Sequence, residues 1–298
     1  MTTHRSALTL AHIAALLFGL TGVFGALIHA DATVITFGRA AYAVAALAAV
    51  ARLRKRPLLG LGTRQAGVLA ATGVLLAAHW VTFFIAVKVG GVAVATLGFA
   101  SFPAFIALLD VAVFRERIGA AEALLLAFVT AGLVLVTPSF DFGNQGTVGL
   151  LWGLASGLTF ALLAMANRRA TRGTDAMQVA FWQNAVVALA LAPFAVGKLG
   201  TPAPIDWLYL GLLGVFCTGL AQYLFVKSLD GLSARSAGMI IALEPVYAIA
   251  CAWWLFGERP SLRMLCGAAL IIFAIILSAR GKQEPLPSLR TEAASGRE

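Results

Sequence analysis

Long apolar runs of about twenty residues recur along almost the whole of this sequence. An α-helix rises about 1.5 Å per residue, so about 20 apolar residues cross the roughly 30 Å hydrocarbon layer of a membrane. The runs are too long for the alternating strands of a membrane β-barrel, and irregular backbone cannot face lipid. Only 12% of the residues are charged, against about a quarter in soluble domains. The predicted fold class is therefore an all-α polytopic membrane protein.

Polar residues, glycine and proline divide the chain into ten apolar segments. These lie at about 8–28, 33–51, 65–87, 92–113, 119–137, 147–167, 176–196, 206–227, 234–255 and 262–279. With a cytoplasmic N-terminus, 17 Lys and Arg residues fall in the inner connections and tails, and four in the outer connections. Cytoplasmic loops are enriched in these residues, so both termini are predicted to be inside. This placement explains the net charge of +9 without a nucleic-acid partner.

The two halves of the chain contain related stretches 142 residues apart. VFRERI at 113–118 corresponds to LFGERP at 255–260, and the same offset aligns Pro103 with Pro245. Each copy has five segments, so the second copy enters the membrane upside down. Such inverted repeats often serve alternating-access transport, with a site near the midplane; a duplicated scaffold without a pathway is the alternative. The predicted units are a first repeat at 1–140, a second at 141–282 and a disordered tail at 283–298.

The stretches from Pro103 to Arg117 and from Glu244 to Glu258 resemble paired EamA modules of the drug/metabolite transporter superfamily. The resemblance extends over all ten segments and is greatest to YddG-type amino-acid exporters of the bacterial inner membrane. It implies a ten-helix basket whose cavity is lined by helices one to four and six to nine. It also implies export of small amphipathic metabolites, above all neutral and aromatic L-amino acids. The expected partners are this substrate and the lipid bilayer, with no cofactor or metal; the oligomeric state stays open, a monomer included.

Two ionisable residues and two prolines interrupt the apolar segments. Glu244 is the only carboxylate near the centre of a segment, where such groups usually face a cavity or a partner. It could bind a substrate ammonium, carry a proton, pair within the bundle, or satisfy backbone groups freed by Pro245. Arg39 could bind a substrate carboxylate, extend to the interface or pair with Asp31. Pro103 and Pro245 each remove a main-chain hydrogen bond and are predicted to kink their helices, as hinges or as static bends.

The other candidate cavity residues are aromatic or mildly polar. His79 and Phe83 share a helix face at i, i+4 spacing, which would suit an aromatic or amphipathic solute; a packing role for the histidine is the alternative. Trp182 could instead be an interfacial anchor. The predicted cavity residues are His79, Trp80, Phe83, Phe99, Ser101, Trp182, Gln222, Tyr223, Glu244 and Arg39.

Transport is the predicted function, and the alternatives differ in the residues they require. Efflux of cationic drugs in the small multidrug relatives uses an acid in the first helix, but 1–28 contains no Asp or Glu. Nucleotide sugars would require several intramembrane cations, and only Arg39 qualifies. An intramembrane enzyme is a more distant alternative, because the sequence has no HExxH, GxSxG or phosphate-binding loop. A structural subunit without flux of its own is the last.

Overall fold

The structure is a computed structural model, and it describes residues 4–114, 119–137, 141–170, 174–228, 231–232, 237, 240–241 and 243–280. These residues form helices and no strand. The helices are α1 (His4–Leu27), α2 (Ala32–Leu53), α3 (Thr63–Phe99), α4 (Phe102–Phe114), α5 (Ala120–Val136), α6 (Gln145–Ala170), α7 (Ala176–Ala195), α8 (Pro204–Gly214), α9 (Ala221–Ser228), α10 (Glu244–Phe256) and α11 (Leu262–Arg280). The charged residues 115–117 of VFRERI and the predicted tail lie outside the described residues.

Six helical stretches in the described part of the chain are long and apolar enough to cross a membrane. They are His4–Leu27, Ala32–Leu53, Thr63–Phe99, Gln145–Asn167, Met177–Lys198 and Pro204–Phe225, and shorter apolar helices occupy Phe102–Val113, Ala123–Val136 and Leu262–Leu277. The all-helical membrane fold predicted from the sequence is thereby confirmed.

The predicted segments 65–87 and 92–113 are joined without a loop, and the second of them is split into two helices. The chain changes direction at Gly91, whose φ of 83° and ψ of 169° lie in a region open mainly to glycine. The fourth segment then breaks after Phe99, and α4 begins at Phe102. Pro103 thus lies in the first turn of a helix, where a missing N–H is tolerated. Pro245 has the same place in α10, so both prolines lie where a helix begins, and their role as hinges or static bends stays a prediction.

Helices α3 and α6 approach each other through backbone atoms. A Cβ atom on Gly149 would lie 2.4 Å from the Cα of Gly90. One on Gly153 would lie 3.0 Å from the Ala95 carbonyl oxygen. Small residues allow this approach in membrane helices, because no side chain separates the two backbones. The pair fixes α6 against the part of α3 that carries the candidate site.

The end of the bundle that contains the α1–α2 turn, called here the Asp31 end, carries polar contacts between the two halves. The Lys198 ammonium lies 2.7 Å from the Asp31 carboxylate. Partial burial opposes ionisation of Asp31, but hydrogen bonds from Lys198 and from the Val34 N–H outweigh it and lower the pKa of this carboxyl. The His29 N–H donates to Asp206 at 3.1 Å. The two halves are thus held together at this end by charged groups.

Glu258 adds a contact with main-chain donors at the same end. Its carboxylate accepts hydrogen bonds from the N–H groups of Val92, at 3.2 Å, and Ala93, at 3.3 Å. These N–H groups begin the helical stretch after Gly91, and the first N–H groups of a helix have no partner within it. The acidic residue of LFGERP therefore caps a helix of the other half of the chain.

Removing this cap is expected to weaken the joint between the halves. Glu258→Ala should lower the free energy of unfolding by about 2 kcal/mol, because two hydrogen bonds to a charged acceptor are lost. Unfolding of the purified protein in detergent micelles measures the change. Arg259→Ala is the matched control, since its exposed side chain is in the same loop. Equal stability of the two variants would contradict a capping role.

Candidate functional site

A cavity of about 500 Å³ lies among helices from both halves of the chain. Its volume is within the range of pockets that hold small organic ligands. Its wall is mostly apolar and aromatic, with a few polar and charged side chains. The charged or hydrogen-bonding residues of the wall are Thr21, Arg39, His79, Asn167, Gln183, Asn184, Thr218, Gln222 and Glu244.

Arg39 of α2 is buried in the cavity wall, with only 4% of its surface exposed. Its guanidinium carbon lies 3.9 Å from the centroid of the Trp80 ring, and its Nε donates to Thr218 Oγ1 at 2.7 Å. The cation–π contact and the hydrogen bond hold the guanidinium over the indole ring. Among the described residues, none accepts a hydrogen bond from its two terminal nitrogens. The pairing of Arg39 with Asp31 that the sequence left open is wrong, because Asp31 is bonded to Lys198.

The position of Arg39 depends on a wide turn between α8 and α9. A π-helical segment, Val215–Leu220, joins these helices, and the Thr218 hydroxyl donates to the Leu213 carbonyl at 3.0 Å. Just before this segment, a Cβ atom on Gly214 would lie 2.6 Å from the Arg39 carbonyl oxygen. Glycine thus lets α8 approach α2 closely enough for Thr218 to bond Arg39. Segments of this kind are frequent at functional sites.

Glu244 begins α10 and lies in the wall of the same cavity. Across the described part of the chain, its carboxylate accepts no hydrogen bond and makes no ion pair within 4.0 Å. It therefore does not satisfy the described backbone groups near Pro245. Glu244 and Arg39 are nevertheless close enough to interact electrostatically. The cavity thus holds one acidic and one basic side chain without a direct bond between them.

An aromatic cluster forms another part of the wall. The ring centroids of Phe99, Phe102 and Phe160 are 5.0–5.4 Å apart. The His79 ring lies 5.1 Å from Phe99 and 5.0 Å from Phe160. Phe83 is 6.0 Å from Phe99. These distances are typical of interacting aromatic rings. The cluster provides a surface on which a flat apolar group can pack.

Amide side chains form a third part of the wall. The Gln183 amide donates to Thr72 Oγ1 and to Asn167 Oδ1, both at 2.9 Å, and so connects α7 with α3 and α6. The Asn184 amide donates to the Ala180 carbonyl at 2.8 Å. Asn184 Oδ1 has no partner among the described residues, although it is buried. Burial of an acceptor without a protein partner is costly.

The structure brings most of the predicted cavity residues together in one wall. Those that line it are Arg39, His79, Trp80, Phe83, Phe99, Gln222, Glu244 and the neighbouring Pro245. Phe160 and Thr218 belong to it without having been predicted, since each lies in an apolar stretch with no distinguishing pattern.

Four predicted residues lie outside this wall. The Ser101 hydroxyl donates to the Gly98 carbonyl at 2.7 Å and is buried where α3 meets α6. The Trp182 indole N–H donates to the Leu58 carbonyl at 2.8 Å and borders a separate, smaller pocket. Tyr223 is 43% exposed, with the Arg54 guanidinium 5.2 Å from its ring. Pro103 follows the cavity residue Phe102 but is not itself in the wall.

The sequence matches the EamA-like transporter family twice, over residues 5–137 and 147–280. It is 27% identical over 273 residues to the uncharacterized transporter YwfM of Bacillus subtilis, covering 89% of this chain and 90% of that protein. Over 236 residues it is 26% identical to the pseudopaline exporter CntI of Pseudomonas aeruginosa, covering 76% and 82%. It is also 26% identical over 202 residues to an uncharacterized transporter of Archaeoglobus fulgidus, covering 67% and 71%.

A solved crystal structure shares the fold, with a TM-score of 0.65 and 21% identity over 93% of this chain and 97% of the other. The three relatives are named as transporters, one of them as an exporter, and none as an amino-acid exporter. The predicted amino-acid subtype therefore stays a prediction, whereas the repeated match covers nearly all the described helices. The chain belongs to the EamA-like transporter family and is a multi-pass protein of the cell membrane.

Proposed function

We propose that this protein exports small zwitterionic metabolites, with L-amino acids as the substrate class, through the cavity that contains Arg39 and Glu244. The observation that carries the proposal is that these opposite charges share one cavity without a direct bond. A zwitterion carries both complementary charges, so it can bind the guanidinium through its carboxylate and the glutamate through its ammonium. The aromatic cluster then provides a surface for an apolar side chain.

Alternating access between two inverted five-helix repeats is the proposed mechanism. The repeated family match, the 142-residue offset and the helices of both halves around one cavity support it. The distribution of Lys and Arg supports cytoplasmic termini. The direction of export is inferred from the resemblance to the family. Accessibility labelling of single cysteines at positions 115 and 259 tests this topology in intact cells. Labelling of both positions from the same side of the membrane would exclude the inverted arrangement.

Export of cationic drugs is disfavoured by the buried guanidinium of Arg39. A cation that entered the cavity would meet the guanidinium of Arg39, held over the Trp80 ring, as well as the carboxylate of Glu244. Like charges in a low-dielectric site repel strongly. Cells that overexpress the protein should therefore gain no resistance to ethidium-like compounds.

Flux measurements in liposomes test the substrate class. Purified protein should exchange labelled neutral L-amino acids such as methionine, threonine or phenylalanine. The same amino acids as methyl esters or as N-acetyl derivatives should compete poorly, because each derivative lacks one of the two charges. Protein-free liposomes and liposomes containing heat-unfolded protein are the controls. Folded protein that moves and binds no amino acid would exclude this substrate class.

Neutralising Glu244 tests the ammonium site and proton coupling together. Glu244→Gln should raise the half-saturating concentration of a neutral amino acid about tenfold or more, because the ammonium loses a charged partner. N-acetyl amino acids should lose little. Flux of each variant is measured with and without a pH gradient. An unchanged rate in both conditions would remove Glu244 from proton coupling, and unchanged affinity would remove it from the binding site.

A further inference from the structure

His79 is held against α6 by three hydrogen-bonding contacts with Ser156. Its Nδ1 lies 3.1 Å from the Ser156 carbonyl oxygen and 2.8 Å from the Ser156 hydroxyl oxygen. The same hydroxyl donates to the His79 carbonyl at 3.1 Å. A carbonyl oxygen only accepts, so the tautomer that satisfies all three contacts carries its hydrogen on Nδ1 and leaves the hydroxyl proton for the His79 carbonyl.

This arrangement determines what the other ring nitrogen can do. A neutral imidazole with its hydrogen on Nδ1 carries a lone pair on Nε2, which can only accept a hydrogen bond. No described residue donates to Nε2. Among the described residues, Asn184 Oδ1 is the only fully buried side-chain nitrogen or oxygen atom without a hydrogen-bond partner. His79 Nε2 also lacks a partner, so it must be accessible from the cavity. His79 thus presents a fixed acceptor to the cavity.

The surroundings of this acceptor are aromatic. Phe99 and Phe160 lie 5.1 and 5.0 Å from the imidazole, ring centroid to ring centroid, and Phe102 extends the same surface. A ligand group that packs among these rings is therefore flat and apolar. A hydrogen-bond donor at the edge of this flat group can bond to the single acceptor in the wall, Nε2 of His79.

We infer that His79 reads a hydrogen-bond donor on the edge of an aromatic side chain, so that the cavity prefers phenols and indoles to phenyl groups. The inference rests on the proposed function for the charged ends of the ligand and adds a subsite for its side chain. A phenol O–H or an indole N–H that packs on the phenylalanine rings donates to Nε2. An unsubstituted phenyl ring leaves this buried acceptor unpaired, and sites built around such acceptors discriminate against ligands that lack the donor.

Matched ligand pairs test this preference in the wild-type protein. Tyrosine is compared with phenylalanine and O-methyltyrosine, and tryptophan with 1-methyltryptophan, as competitors of labelled methionine flux in liposomes. The donor-bearing member of each pair should compete about tenfold better, the effect of about 1.4 kcal/mol for one hydrogen bond. Equal competition within each pair would overturn the inference.

Variants then assign the preference to His79. His79→Phe keeps an aromatic ring but has no acceptor, so the difference between tyrosine and phenylalanine should disappear. His79→Gln restores an acceptor near the position of Nε2 and should recover part of the preference. Arg259→Ala, whose side chain is exposed at the Asp31 end, is the control and should keep the full preference. A preference that survives in His79→Phe would assign the donor contact elsewhere and overturn the inference.

A binding measurement separates this inference from the proposed function. Tyramine and phenethylamine share the ring difference but lack the carboxylate, and their binding to the detergent-solubilised protein is followed by thermal stabilisation. If no amino acid is transported but tyramine binds better than phenethylamine to wild type and equally to His79→Phe, the proposed function fails and the subsite stands. If amino acids are transported, but neither the matched amino acids nor the two amines show a preference for the donor-bearing ligand, the subsite fails and the proposed function stands.

Discussion

Arg39→Gln should lower the rate of amino-acid flux at subsaturating concentration about 100-fold or more. The guanidinium lies on Trp80 and is oriented by Thr218, so a carboxylate meets a positioned partner that loses little entropy on binding. Truncating one partner of a buried charged hydrogen bond costs about 2–5 kcal/mol. The same change leaves Glu244 without an opposing charge in the cavity. Amines without a carboxylate, such as phenethylamine, should therefore compete better against this variant than against wild type.

This exchange of preference distinguishes a binding role from a structural one. Flux of labelled methionine and competition by phenethylamine are measured for both proteins in liposomes at equal protein content. Arg263→Gln is the matched control, since Arg263 is exposed and bonded to the Val134 carbonyl at the bundle surface. It should behave as wild type. A parallel loss of flux and of amine competition in Arg39→Gln, together with lower thermal stability, would make Arg39 a packing residue.

Gly149→Ala should produce the largest loss of stability among Gly→Ala changes at the glycines in the described helices. The new Cβ would lie 2.4 Å from the Gly90 Cα and 2.6 Å from its nitrogen. Both are backbone atoms, so no side chain can turn away and the helices themselves must separate. Overpacking of this kind costs about 3 kcal/mol. Because the same helix pair carries the bonds between His79 and Ser156, flux should fall as well.

Gly197→Ala is the control for the same chemical change. A Cβ atom at Gly197 would have no neighbour within 4 Å, and alanine narrows the conformations of the unfolded chain. Its stability should equal or slightly exceed that of wild type. Unfolding of both variants in micelles gives the comparison. Equal stability of the two variants would show that α3 and α6 are not in close contact in the protein.

The helical fold was predictable from the apolar runs, but its irregular points were predictable only in part. A run of about twenty apolar residues in a membrane has few alternatives to a helix. The break after Phe99 lies just before Pro103, where a bend was predicted, but the π-helical segment at Val215–Leu220 has no local signal. Beside that segment, Gly214 packs against the backbone of Arg39, and no local pattern predicts a contact between residues so far apart in sequence.

The residues of the candidate site were also predictable only in part. An ionisable residue in a membrane is recognisable by its energetic cost, but the sequence does not show which way an ordinary apolar side chain points. Arg39 and Glu244 were predictable because an ionisable group inside a membrane needs a cavity or a partner. Phe160 was not, because phenylalanine is ordinary in an apolar helix and only the fold turns it toward His79. Trp182 illustrates the reverse error: its residue type suggested a cavity wall, but its indole donates to the Leu58 carbonyl instead.

The carboxylate of Glu258 recognises peptide N–H groups and not the side chains beside them. Any residue except proline offers such a donor, so only Gly91, with its positive φ, is constrained in identity by that junction. The cavity-lining residue Phe99, farther along the same helix, can consequently be substituted, naturally or by engineering, while the hydrogen bonds from Val92 and Ala93 to Glu258 are kept. Ligand selectivity can therefore change without loss of this contact between the two halves.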